Sequence, residues 1–530
     1  MKRRKAVEKR QSNGEKNGIT RRTFIKGAAA AGGMGMILAT GIPPALGTGK
    51  KDLVHGIFGG DPGNLSPVIR HDTAAGIIIR NITDNLVMPN YKTREIMPML
   101  AEDWKNVDPL TWRIKLREGV MWHKGYGEMT AEDLVYTWQF HLDSKSWQVR
   151  TAFWPLDSFK VVGKYVAEVK LKQPFGAFPG VTMGYGGMVV SKNAHQEIGN
   201  EAFKTNPVGN GPFEFVSLKA NEVVLKKNKQ YWQKGLPHLE ELIFRSIPDS
   251  HVRLQALQKG ELDFISHPDA KDVKKVRKDP SLAYQSTPGW TWDYQLFNQL
   301  KDFPYQNKLV REAISYAIDR EAIRDEIYYG EATVTDNQIP YGYLGHRKNL
   351  LRYPKNGDLE KAKELMAKAG CKGYEVEVIC SDKDWLRREL ELVAAMVSQI
   401  GIKYKIRNMD IGSFNNLWLN RKFEQLLEDI TIVAPDPDAT VWWFLHSKGS
   451  CTAGYNDPGM DRMLDGARAE SDPKKREGLY HKIVDQELVD NPMIFHVNAN
   501  YVRLHKKGLE GFESAPQEYI ELFHTARWTS

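Results

Sequence analysis

The stretch Leu100–Phe140, LAEDWKNVDPLTWRIKLREGVMWHKGYGEMTAEDLVYTWQF, holds both kinds of secondary-structure signal in one run. Leu110, Trp112, Ile114 and Leu116 alternate with Thr111, Arg113 and Lys115, the period of a half-buried strand. A turn around His123 follows, and Thr130 is placed to cap a helix with Leu134, Val135 and Trp138 on one face. Val166, Val169 and Leu171 sit in another such run, and Tyr374–Ile379 forms a third. Leu309, Val310, Ala313, Ile314, Ala317 and Ile318 form a helical stripe. Asp358 caps a helix carrying Leu359, Ala362, Leu365, Met366 and Ala369, which Gly370 ends. Asp472-Pro473 opens another, with Leu479, Ile483, Val484 and Leu488 inward. Mixed strands and helices over this length predict an α/β protein with several sheets, and roughly 480 residues beyond the leader are too many for one core. Two or three domains are expected, with no internal repeat.

The leader is TRRTFIKGAAAAGGMGMILATGIPPALG, Thr20–Gly47. A basic segment from Lys2 to Lys26 precedes an apolar, Gly- and Ala-rich run, too short for the ~20 apolar residues of a membrane span. Arg21-Arg22, with Phe24 and Lys26 behind them, resembles the twin-arginine export signal, which addresses folded cargo. Ala45-Leu46-Gly47 offers a small-x-small cleavage site; an uncleaved signal would act as a tether. The first cysteine is Cys371, which excludes a lipid anchor near the N-terminus.

The leader also accounts for the net charge of +8. Ten of the 74 Lys and Arg and two of the 66 Asp and Glu lie in residues 1–47, so the remainder carries 64 of each and is neutral. The basic pI therefore argues for no nucleic-acid partner. Three cysteines are too few for a disulfide scaffold; Cys371 and Cys380 can pair across a short loop or stay as free thiols. A mean hydropathy of −0.49 with 14 Trp and 21 Tyr suits a soluble chain rich in rings.

Catalytic signatures are missing: no His-Glu-x-x-His, no phosphate loop, no Gly-x-Ser-x-Gly elbow. Met183-Gly-Tyr-Gly-Gly187 lacks dinucleotide spacing and reads as a tight turn. His446 and Cys451 stand five apart without partner ligands at metal spacing, and His123 reads as a turn residue. The reading is of a non-enzyme with no cofactor and no metal.

Several segments together resemble the extracytoplasmic solute-binding proteins of ABC transporters in the oligopeptide, dipeptide and nickel group, solute-binding protein family 5. They are Leu100–Phe140, with its aromatic-His turn and Thr-Ala-Glu-Asp helix start; NPVGNGPFEF from Asn206; NKQYWQKGLPHLEEL from Asn228; RLQALQKGELDF from Arg253; LVREAISYAIDREAI from Leu309; the Ala-Lys-Glu-Leu helix at Ala362; and GYNDPGMDRML from Gly454. The resemblance implies an α/β, periplasmic-binding-protein-like type II two-lobed clamp with an additional inserted domain. Lobe I would comprise residues 48–90, 208–295 and 495–530, the extra domain 91–207, and lobe II 296–494. It also implies a monomeric receptor in the periplasm, a small-molecule or peptide ligand between the lobes, and delivery to ABC permease subunits in the inner membrane. A metal chelate, as in the nickel branch, is the alternative ligand, with His446 or His123 as candidate contacts; an exported enzyme is a more distant one.

Within that frame PGWTWDYQLFN, Pro288–Asn298, lies where the chain passes between lobes. Trp290, Trp292, Tyr294 and Leu296 share one strand face, either walling the cleft or packing on lobe I, while Asp293 and Gln295 point the other way. In IVAPDPDATVWWFLH, Ile432–His446, peptide-binding relatives place an acid that pairs with the ligand's α-amine four residues before the family's proline. Counting back from Pro437 reaches Val433, so the anchor is missing or Asp436 or Asp438 replaces it; Trp442 and Trp443 are candidate cleft rings or helix core. Phe58-Gly59 follows the first strand, where relatives bring backbone against the ligand, and Tyr185 lies in the glycine-rich segment by the cleft.

Overall fold

The computed structural model describes residues 52–59, 62–69, 73–90, 95–145, 152–348, 350–432, 436–517 and 520–529. The leader, Val433, and the side chain of Tyr185 lie outside the described residues. Three sheets organise the rest.

The first sheet runs in the order 282–288, 497–506, 264–266, 52–57, 241–246, 222–227, 213–219, with 332–334 added alongside 497–499. Asp52–Ile57 lies parallel to both Glu241–Ser246 and Phe264–Ser266, so both its hydrogen-bonding edges are paired. Leu53, Ile57, Leu242, Phe244 and Phe264 pack there against Ile77, Ile78 and Ile82 of the Thr73–Ile82 helix. A second sheet, in the order 402–409, 374–381, 426–432, 291–297, 493–495, combines a parallel βαβ unit with antiparallel neighbours. Between strands 52–57 and 213–219 of the first sheet, the chain builds a third, four-stranded antiparallel sheet in the order 101–108, 111–116, 166–171, 156–163.

The local expectations hold. Thr111–Leu116 alternates as the sequence does, with Trp112, Ile114 and Leu116 buried. Thr130 caps Ala131–Asp143 through a capping box closed by Asp133. Asp358 and Asp472 accept hydrogen bonds from Lys361 and Lys475 N–H at the starts of their helices. Met183–Gly187 is not the tight turn expected from its glycines. Pro179–Tyr185 forms a wide helical turn in which Gly186 N–H reaches the Val181 carbonyl at 3.1 Å. A Cβ on Gly187 would lie 1.7 Å from the Met183 oxygen, so only glycine fits there. Cys371, Cys380 and Cys451 are all free thiols. Among the described residues no helix is long and apolar enough to cross a membrane.

The first and second sheets are joined where the chain leaves Pro288 for Thr291 and returns from Phe495 to Val497. These segments run side by side. Gly289 N–H donates to the Ala499 carbonyl at 3.1 Å, Ala499 N–H to Thr291 Oγ1 at 3.1 Å, and His496 N–H to the Asp293 carbonyl at 3.0 Å. A Cβ on Gly289 would sit 2.2 Å from the Ala499 oxygen, so the pairing is only as close as it is because residue 289 has no side chain.

Pro473–Asp490, packed on the second sheet through Ile483, Val484 and Leu488, also buries Glu487. Burial pushes this carboxyl from its ordinary value near 4.5 up to about 8. The folded chain thus holds the proton to higher pH than the unfolded chain, and stability falls as pH climbs from ~4.5 towards 8. Glu487→Gln should match the parent at pH 4.5 and exceed it by roughly 2–4 kcal/mol at pH 7.5 in urea unfolding.

Candidate functional site

Trp290 is 3 % exposed. Its N–H donates to the Pro516 carbonyl at 2.6 Å, its Nε1 to the Tyr341 carbonyl at 3.1 Å, and its ring meets Tyr343 edge-on at 5.0 Å. It therefore fixes two loops, around 341 and 516, at the junction. Trp292 and Tyr294 are placed differently: both are fully buried in the second-sheet core, where Trp292 packs edge-to-face on Tyr294, Phe444 and Phe495. The expected shared face is real, and its rings fill the body beneath the second sheet, not the first. The opposite face is equally buried, so the whole strand 291–297 is interior.

At the end of the first strand, the half-buried Phe58 ring lies 4.3 Å from that of His267. Gly59 takes φ +109°, a conformation other residues rarely adopt, and its carbonyl accepts a hydrogen bond from Ser246 Oγ at 3.0 Å. Burial, with Arg503 and Arg253 nearby, pushes the His267 imidazole well below its usual range, so it is neutral at pH 7.

The other candidates converge elsewhere, where the second-sheet body meets the inserted one. Asp436 and Asp438 are buried, and each is taken by an arginine. Arg476 grips Asp436 with both terminal nitrogens at 2.5 Å, and Arg468 holds Asp438 through Nε at 2.8 Å and Nη2 at 3.1 Å. Arg476 also donates to the Ala467 carbonyl at 2.9 Å. Neither carboxylate is left free to receive a cationic guest. The Arg468 guanidinium is also sandwiched, 3.9 Å from the Trp442 ring on its own body and 4.4 Å from the Trp154 ring of the inserted one. Beside it Gly176 N–H donates to the Arg468 carbonyl at 2.8 Å, and a Cβ on Gly176 would lie 1.8 Å from the Glu470 oxygen. At this edge the two bodies are shut against each other.

Trp442 is half-buried; it stacks on His446 at 4.3 Å and donates through Nε1 to Asp465 Oδ1 at 3.3 Å. Trp443 is half-buried against the second-sheet core. His446 lies between Asp461 and Asp465, and His123 Nε2 meets the Gly211 carbonyl at 3.0 Å, with burial pushing its imidazole down to about 4. The sequence reading missed Arg468, Arg476, Trp154 and Gly176. Nothing local pairs the arginines with acids thirty and forty residues earlier, and nearer acids such as Glu470, Asp472 and Glu477 gave the sequence no reason to look that far.

Residues 95–451 match the model of the bacterial extracellular solute-binding proteins, family 5. The chain belongs to this family. A relative in Pseudomonas aeruginosa, named "Probable di/tripeptide-binding protein 5", is 28 % identical over 459 residues, spanning 79 % of this chain and 85 % of its own. Among solved structures, HbpA2 of Haemophilus parasuis superposes with a TM-score of 0.80 at 25 % identity, covering 90 % of this chain and all of that one. The periplasmic binding protein DppA of Helicobacter pylori, solved with the peptide STSA, gives 0.75 at 25 % identity over 90 % and 98 % of the two chains. The fold is the two-lobed type II clamp with an inserted domain: the first and second sheets centre the lobes, and the third sheet is the insertion.

In this family 5 solute-binding protein, Arg468→Ala should cost roughly 3–5 kcal/mol, because it strands the Asp438 carboxylate in the interior. Adding Asp438→Asn to that variant should recover much of the loss in urea unfolding at pH 7. A single-variant cost below ~1 kcal/mol without rescue would mean the pair is not buried as described.

Proposed function

We propose that this chain is the periplasmic receptor of an ABC importer, capturing a peptide or peptide-like organic solute between its lobes and presenting the closed form to permease subunits in the inner membrane. The observation that carries this reading is the pair of bodies joined by two crossing segments and meeting again at Arg468, an arrangement suited to closing over a guest. The names of the relatives, a di/tripeptide-binding protein and a peptide complex, support the ligand class. Residues 48–90, 208–288 and 497–530 act as one lobe with 91–207 beside it, and 291–495 swings against them; the boundaries expected at 295/296 and 494/495 move to the two crossings because strands 291–297 and 493–495 pair within the second sheet. The chain works as a monomer, changes no covalent bond in its ligand, and reaches the periplasm by the twin-arginine route.

The site we assign lies around Phe58, Gly59, Trp290 and Trp442, with Tyr185 and Trp443 at its margin. Because Asp436 and Asp438 are committed to arginines, the ligand's α-amine is not their charge partner. Affinity comes instead from ring contact and from hydrogen bonds to backbone, which tolerate variation in the guest. The engaged state of His123 and His446 favours an organic solute over a metal chelate.

Calorimetry and thermal unfolding of the mature chain with di-, tri- and tetrapeptides, free and N-acetylated, test this. A bound peptide should stabilise the chain by ~2.7 kcal/mol at a hundredfold excess over Kd, and acetylation should weaken it less than about tenfold. No response to any peptide or peptide-like solute contradicts the receptor reading. A loss of ~100-fold or more on acetylation contradicts the missing amine anchor alone.

A further inference from the structure

Behind strand 291–297 lies a second cluster, on the face opposite Trp292 and Tyr294. Asp293 comes from that strand, and Glu428 from the neighbouring strand 426–432, where it sits directly across from Gln295. Glu389 comes from the helix Asp384–Ser398, and His496 from the returning crossing. All four side chains are wholly buried. Among the described residues no Lys or Arg pairs with any of them; the single potential cation is His496.

Three carboxylates and one imidazole in a dry interior leave a charge imbalance that only protons or a cation can remove. His496 Nδ1 is 2.9 Å from Glu389 Oε1 and 3.3 Å from Glu428 Oε1, and the three donor atoms lie within 4.8 Å of one another. Ligand atoms bound to one ion at ~2.0–2.1 Å stand roughly 3.0–3.4 Å apart, which the two shorter separations match. Among the described residues the Glu428 oxygens meet only the His496 ring and the Gln295 amide, in poor hydrogen-bond geometry, and Asp293 Oδ1 takes no hydrogen bond, although both acids are fully enclosed. The Tyr328 hydroxyl lies against both Asp293 Oδ2 and, at 3.0 Å, Glu389 Oε2, with one proton to share between them; His496 N–H holds the Asp293 carbonyl. These contacts orient the acids without satisfying the Glu428 oxygens.

We propose that Glu389, Glu428 and His496 bind one divalent first-row cation, Zn²⁺ or Mn²⁺, with Asp293 as a further oxygen donor. Mixed carboxylate and imidazole donors without a thiolate suit those ions. The donors come from four chain segments that meet at the foot of the two crossings. A cation there fastens the returning strand to the second-sheet lobe, so its role is to stiffen the base on which that lobe turns. It is separate from the solute cleft and does not depend on which solute is bound.

The test is metal analysis of the purified mature chain, before and after dialysis against a strong chelator, followed by titration of the stripped chain with Zn²⁺, Mn²⁺ and Co²⁺. One cation per chain, a lower melting temperature after stripping, and visible d–d bands for Co²⁺ are expected. Glu389→Gln and Glu428→Gln should each weaken binding at least ~10–100-fold, while His251→Ala, removing an exposed imidazole beside Asp272, should leave it intact. If a Gln variant fails to fold, stoichiometry and the Co²⁺ spectrum of the parent chain decide. A stripped, folded parent chain that binds none of the three ions at micromolar concentration overturns the proposal, meaning that protons balance the cluster. So does binding that survives Glu428→Gln unchanged.

Discussion

The hydrogen bonds between Gly289 and Ala499, and between His496 and Asp293, are the constraint on which the molecule depends. Two sheets, each with its own apolar core, communicate through two short lengths of backbone that hold each other. Because the crossings pair over several residues, the lobes cannot slide independently; what remains easy is a common bend about the paired segment. Gly289 permits this closeness, since any side chain would collide with the Ala499 oxygen and pry the strands apart. Trp290, next in the chain, uses its backbone and indole N–H groups to draw the 341 and 516 loops to the same point.

Charge completes the design at the opposite edge. The arginines that neutralise Asp436 and Asp438 are buried with them, a costly arrangement unless every donor is used. Arg476 engages four of its five N–H groups, on Asp436, the Ala467 carbonyl and the Tyr480 hydroxyl. Arg468 has one face left for the inserted domain's Trp154, and so doubles as the contact between bodies. A guanidinium that is already desolvated by its own lobe loses little more on meeting a second ring, which makes it an inexpensive closing surface.

Much of this architecture was legible in the chain. Alternation at 110–116 and 374–379, helical stripes at 309–318, and acidic caps at Asp358 and Asp472 are local signals, written by residues that touch one another within a few positions. The family motifs extended that reading to the two-lobed clamp. The candidate site was legible only in part. Periodicity gave the shared face of Trp290, Trp292 and Tyr294, but a strand buried on both sides carries no mark of which body its rings enter. Asp436 stood out as a candidate amine anchor because its partner, Arg476, lies forty residues away across a helix pair. The Glu389, Glu428 and His496 cluster was invisible for the same reason: each residue is unremarkable in its own segment, and only the crossing of strands brings them within reach.

The central claim is that the lobes close as bodies over a solute while the paired crossing stays intact. Amide hydrogen exchange of the mature chain, with and without bound solute, tests it most directly. The account predicts slower exchange on binding at Gly176, whose N–H crosses to the Arg468 carbonyl, with the Gly289 and Ala499 amides unchanged. Solute binding that leaves Gly176 exchanging freely, or that opens the Gly289–Ala499 pairing, would contradict it.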